Sequence, residues 1–83
     1  MPCLNLRYHA LLREKTSCAG ETLSLPGAEA RVADVRAAFA EKYPSAARLA
    51  PLLHFAVNNQ IVGADAVVRD HDTIDLMPPF GGG

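Results

Sequence analysis

Little in this sequence equips it to read a nucleic acid. Its eight lysines and arginines are scattered and are offset by nine acidic residues, for a formal net charge of -1, so no basic patch forms to hold a phosphate backbone. The aromatics are two tyrosines and three phenylalanines, too few for a platform on which bases would stack. Cysteine is scarce too. Cys3 and Cys18 match neither a C-x-x-C pair nor a zinc-ligand spacing, and two cysteines make a poor disulfide scaffold. They read as reduced thiols of a cytoplasmic chain, with Cys3 a small apolar strand residue. No apolar run approaches the roughly 18 residues of a membrane helix, and Met1 to Ala10 lacks the apolar core of a secretory signal. No glycine-rich loop joins a strand to a helix, so no phosphate cradle is present, and no serine or cysteine has a visible base partner. Neither nucleic acid nor membrane is therefore an expected partner.

A chain of 83 residues is one domain, here residues 1–83 with a flexible C-terminal tail over 78–83. Residues 3–9, CLNLRYH, alternate with Leu4, Leu6 and Tyr8 on one face, which predicts a half-buried strand. ALLREKTS follows as a helical turn or two, and SCAGET, with Gly20, reads as a turn. ETLSLPG alternates again and stops at Pro26-Gly27, so the first two strands form an antiparallel pair. The clearest helix lies over residues 31–43, where Val32, Val35, Phe39 and Tyr43 recur at helical spacing. Its start is weakly specified, since neither Ala30 nor Arg31 is a good N-cap; Pro44 ends it, and Ser45 is placed to cap a second short turn. HFAVNNQIV reads as a hairpin with Asn58-Asn59 at positive φ. Asp70-His71-Asp72 marks a turn, and Ile74 and Leu76 alternate into a last strand that Pro78-Pro79 terminate. One amphipathic helix must hide its stripe against a sheet, so the fold class is α+β, a roll with one main helix packed across one face.

Side-chain chemistry is thin. His9, His54 and His71 share no metal spacing with carboxylates and read as exposed or half-exposed strand and turn residues. Asp70, Asp72 and Asp75 cluster, and Asp75 points away from Ile74 and Leu76; the three read as a solvated turn. The tail is different. Three terminal glycines arise by chance in about 0.03% of chains. Glycine threads a slot that any side chain would block, whereas Pro78-Pro79 hold the chain extended. A stiff spacer with a thin tip suits presentation of a terminal carboxylate inside another protein's pocket; the alternative is an inert end.

The segment LLHFAVNNQIV, with DHDTIDLMPPFGGG after it, resembles the C-terminal half of the small subunit of molybdopterin synthase, a sulfur carrier related to the ThiS-type carriers. Ala56-Val57-Asn58, Asp70-His71-Asp72-Thr73-Ile74 and Pro78-Pro79-Phe80-Gly81-Gly82-Gly83 carry the likeness, and Ala10, Arg13 and Glu14 extend it to the N-terminal half. The resemblance implies a β-grasp, ubiquitin-like fold with a mixed sheet. It implies that an E1-like enzyme uses ATP to adenylate the Gly83 carboxylate, and that a sulfurtransferase or cysteine desulfurase supplies sulfur for a thiocarboxylate. The large synthase subunit, in a heterotetramer, would then take the tail and use the sulfur for the molybdopterin dithiolene. The protein would be a carrier and not an enzyme, with no cofactor stably bound. Partner contacts are implied at His9, Ile61 and Met77, with Pro78, Pro79, Phe80, Gly81 and Gly82 leading to Gly83. By alternation His9, Ile61 and Met77 lie opposite Tyr8, Val62 and Leu76. His9 replaces the family's aromatic, Phe80 a smaller aliphatic, and His71 the turn glycine, which predicts a different turn there. Other carrier pathways (thiamine, cysteine or secondary metabolites), a ubiquitin-like modifier joined to lysines, and a binding module with an inert tail stay open.

Overall fold

Period-two alternation at the N-terminus builds the centre of the sheet. In a computed structural model that describes residues 1–79, strand β1 (Cys3–Tyr8) turns Leu4, Leu6 and Tyr8 into the core. It is followed by α1 (Leu11–Thr16), β2 (Gly20–Ser24), β3 (Ala30–Arg31) and α2 (Val32–Lys42). Two 3-10 turns (Pro44–Ala46 and Ala50–Leu52) lead to β4 (His54–Val57), β5 (Gln60–Val62), β6 (Val67–Val68) and β7 (Thr73–Met77). Five strands form a mixed sheet in the order β2-β1-β7-β4-β5. Only the central β1–β7 pair is parallel, with Arg7 opposite Asp75 and Tyr8 opposite Leu76; the other pairings are antiparallel.

The helix stripe covers the inner face as expected. Val32, Val35 and Phe39 share one buried cluster with Leu4, Leu6, Tyr8, Phe55, Ile74 and Leu76, and the Tyr8 and Phe39 rings lie 5.8 Å apart. The start of α2 obtains from tertiary structure what its sequence lacks. The short β3–β6 ladder brings the Ala66 and Ala64 carbonyls to the Val32 and Ala33 N–H groups, at 2.9 and 3.0 Å. Asp34, three residues into the turn, accepts the Arg31 N–H at 2.8 Å. Donors that a helix leaves unpaired are thus satisfied. At the other end Ser45 does not cap a turn; it lies within the 3-10 turn that Pro44 opens.

Two local expectations change. SCAGET is not wholly a turn, because Gly20 and Glu21 already belong to β2. A Cβ at Gly20 would stand 2.5 Å from the Leu6 carbonyl oxygen, so glycine is what lets the two strands approach. His71 sits at φ 71°, so the turn retains the left-handed geometry that favours glycine, in place of the different turn expected. Asn58 and Asn59, at φ 50° and 71°, make the predicted tight hairpin turn.

Glu21 faces inward from β2 and anchors a polar network at the core's edge. Tyr8 Oη and Lys42 Nζ each donate to its carboxylate at 2.5 Å, and Tyr43 Oη donates to the same oxygen as Tyr8. Burial pushes both phenols well above the ordinary tyrosine range, and the facing carboxylate adds to it. Burial alone would raise the Glu21 carboxyl, but the bonds donated by Lys42, Tyr43 and Tyr8 outweigh it and hold it low.

Linkage gives the signs. A lowered carboxyl contributes stability that is complete above its unfolded value of 4.5 and is lost as pH falls toward the folded one. The raised phenols contribute fully below 10.0, and their share shrinks as pH rises further, when only the unfolded chain ionises. Urea midpoints measured from pH 3 to 7 should therefore fall less steeply with acid in Glu21→Gln than in the parent. Gly20→Ala should cost about 1–3 kcal/mol in the same assay, since the obstructing atom is backbone.

Candidate functional site

On the sheet face away from α2, register puts side chains in rows across the strands. Arg7, Asp75, Ala56 and Ile61 make one row across β1, β7, β4 and β5. Met77 and His54 pair in the next row, with His9 just past the end of β1. There His9, Ala10, His54, Ile61, Met77, Pro78 and Pro79 line an open groove of about 450 Å³. Ile61 is 74% exposed, unusual for a large aliphatic side chain, and Pro78 and Pro79 are half-buried in the wall. The structure thus gathers His9, Ile61, Met77, Pro78 and Pro79 on one surface, at the point where the chain runs on toward its glycines. Phe80, Gly81, Gly82 and Gly83, the tip and the reactive carboxylate inferred from the sequence, lie outside the described residues.

Asp75 departs from the solvated turn expected of it. The residue is only 6% exposed, and its Oδ1 lies 2.7 Å from His9 Nε2 and 3.1 Å from Arg7 Nε. A carboxylate oxygen accepts, so in this contact His9 Nε2 is the donor. Sequence reasoning missed Arg7 and Asp75 as neighbours of the groove, and passed over His54 and Ala10. Their juxtaposition depends on the parallel β1–β7 register, which bridges some 70 residues of chain and has no local signature. Asp70 and Asp72 do lie in the turn; they accept the Cys3 and Arg69 N–H groups at 2.7 and 2.8 Å.

Chemically the groove offers apolar contact and two imidazoles; the Arg7 guanidinium lies off its lining, paired with Asp75. Among the described residues no three side chains of His, Cys, Asp or Glu gather as metal ligands, and no helix is long and apolar enough to cross a membrane. The arrangement is an open, largely apolar groove beside the last described residues.

A family model described as the ThiS family matches residues 6–83. The chain belongs to the ThiS family. That places it with the ubiquitin-like sulfur carriers without choosing a pathway. Solved structures show the same β-grasp fold as this ThiS-family chain. Molybdopterin converting factor subunit 1 from Pyrococcus furiosus superposes with a TM-score of 0.84 at 22% identity, covering 95% of this chain and 99% of that one. Small archaeal modifier protein 1 from Methanosarcina acetivorans gives 0.80 at 22% identity, covering 100% and 98%. The complex of subunits 1 and 2 of molybdopterin-converting factor from Helicobacter pylori contains a chain that gives 0.67 at 17% identity, covering 98% and 99%. No curated protein sequence matches this chain significantly.

The two ends of the Asp75–Ile61 row should behave differently in urea denaturation. Ile61→Asp, at an exposed site, should change stability by less than about 0.5 kcal/mol. Asp75→Ala, which strips Arg7 and His9 of their shared acceptor, should cost about 1–3 kcal/mol.

Proposed function

We propose that this ThiS-family protein is the small, sulfur-carrying subunit of a molybdopterin synthase. The observation that carries the reading is the groove at the chain exit, where His9, Ile61, Met77, Pro78 and Pro79 come together on a family member whose sequence ends Phe80-Gly81-Gly82-Gly83. In this reading the large synthase subunit covers the groove and receives the tail. Pro78-Pro79 set its direction, Gly81 and Gly82 pass through a narrow channel because they carry no Cβ, and Phe80 occupies a wider place at its mouth.

The reactive group is the Gly83 carboxylate. At neutral pH it is ionised and a poor electrophile, with an ordinary α-carboxyl pKa near 3.5. An E1-like enzyme spends ATP to convert one carboxylate oxygen into part of a leaving group. A sulfurtransferase or cysteine desulfurase then supplies the sulfur; the carbon–oxygen bond to AMP breaks and a carbon–sulfur bond replaces it. The thiocarboxylate is the nucleophile that the large subunit uses, and acid, base and cationic groups come from that partner. ATP belongs to the activating step and is not held by this chain.

A second reading has its own support. The fold shared with small archaeal modifier protein 1 and the same glycine end suit attachment to lysines through Gly83.

Incubation with a cognate activating enzyme, ATP and a sulfur donor should raise the intact mass by about 16 Da, oxygen replaced by sulfur. Deletion of Gly83 should abolish that shift without lowering the melting temperature, because glycine has no side chain to pack and among the described residues the buried core ends at Leu76. A wild-type mass that never moves would sink the carrier reading. Lysine adducts of the chain in place of the shift would favour the modifier.

A further inference from the structure

Apolar docking at the groove leaves one feature of the same face without a role. Asp75 is a carboxylate buried in the middle of the sheet's outer face, and both of its polar neighbours meet it through a single oxygen. Burying a charge is costly unless it is matched and hydrogen-bonded, so the arrangement holds Arg7 and His9 in place as firmly as it satisfies Asp75. Arg7 uses only Nε for this contact. Its side chain is 57% exposed, and among the described residues its two terminal nitrogens meet no other carboxylate. They form the fork that binds a carboxylate through two parallel N–H bonds. His9, with its side chain one-third exposed (32%), meets the same Asp75 oxygen. No acidic side chain lines the adjoining groove, and Asp75 is buried beneath Arg7.

We propose that Arg7 and His9, oriented by Asp75, form a clamp for a carboxylate of the docking partner. The surface that covers this face then carries an apolar knob for the groove of Ile61 and Met77 and an aspartate or glutamate beside it, over the end of β1. The inference rests on the carrier reading for the existence of a docking partner, and deepens it by specifying that partner's chemistry. His9, which stands where the resembled family has an aromatic, is then part of a polar reading element that gives this chain's docking its selectivity. Charge complementarity of this kind sets partner choice more than raw affinity, because a partner with an apolar or basic residue at that point leaves the guanidinium covered and unpaired.

The test is titration calorimetry of the full chain against the purified molybdopterin synthase large subunit of the same organism, in 50 and 500 mM NaCl. The wild-type dissociation constant should rise about tenfold with salt, as a partly exposed ion pair is screened. Arg7→Gln should bind about tenfold more weakly at low salt and lose the salt dependence. Arg7→Lys should keep the salt dependence with part of the affinity, since it retains the charge and loses the fork. Neutralising the facing acidic residues of the large subunit one at a time should find one that reproduces the loss and adds nothing on top of Arg7→Gln. That arm leaves this chain intact, so it stands even if Arg7→Gln unfolds. Wild-type binding with no partner carboxylate coupled to Arg7 overturns the clamp and leaves the carrier reading in place. No wild-type binding at either salt concentration overturns both.

Discussion

The parallel pairing of β1 with β7 is the constraint on which the rest of the structure depends. It brings the first strand of the chain beside the last described one, at the centre of the sheet. On the inner face this register packs Leu6 and Tyr8 beside Ile74 and Leu76, the floor on which Val35 and Phe39 of α2 rest. On the outer face it sets Arg7 against Asp75 and lets His9 reach back to the same carboxylate. Because β7 is central, Met77 and the prolines lie between His9 on one side and His54 and Ile61 on the other.

Two carboxylates, half-buried Glu21 and buried Asp75, divide the polar work. Glu21, on the inner face, ties β2 to the C-terminal end of α2 through Lys42 and Tyr43, and to β1 through Tyr8. It closes the open side of the roll where apolar packing ends. Asp75, on the outer face, ties β7 to β1 and holds Arg7 and His9 beside the groove. The same physics, a desolvated carboxylate that must collect donors, serves architecture in the first case and the presentation of side chains in the second. Arg36 shows a milder version: its guanidinium carbon lies 5.5 Å from the Phe55 ring centroid, so a residue off the apolar stripe still covers core.

Much of the fold was legible because its signals are local. Alternation in β1 and in the segment around Ile74 and Leu76, the three- and four-residue spacing of Val32, Val35 and Phe39, and the Asn58-Asn59 turn each depend on neighbours a few residues apart. What escaped was non-local or too short to pattern. The two-residue strands β3 and β6 have no periodicity to show, yet they supply the start of α2. Gly20 was read as a turn because glycine marks turns more often than tight strand contacts; only the Leu6 carbonyl above it reveals the difference. His71 was expected to alter its turn, but the surrounding bonds, including its N–H to the Cys3 carbonyl at 2.8 Å, hold it at a glycine-like φ.

By itself the sequence determined the fold class, the inward faces of its main elements and the family, since burial periodicity and the Pro-Pro-to-glycine ending are written along the chain. It also named His9, Ile61 and Met77 as outward-facing, because alternation assigns a face to each strand residue. Only the tertiary structure decided that these three share one groove with Pro78 and Pro79, and that Asp75 is a buried carboxylate that pairs with Arg7 and hydrogen-bonds His9. Strand order and register decide which outward side chains become neighbours, and they are settled by packing between segments far apart in the chain, such as Arg7 and Asp75, a distance over which no local pattern carries information.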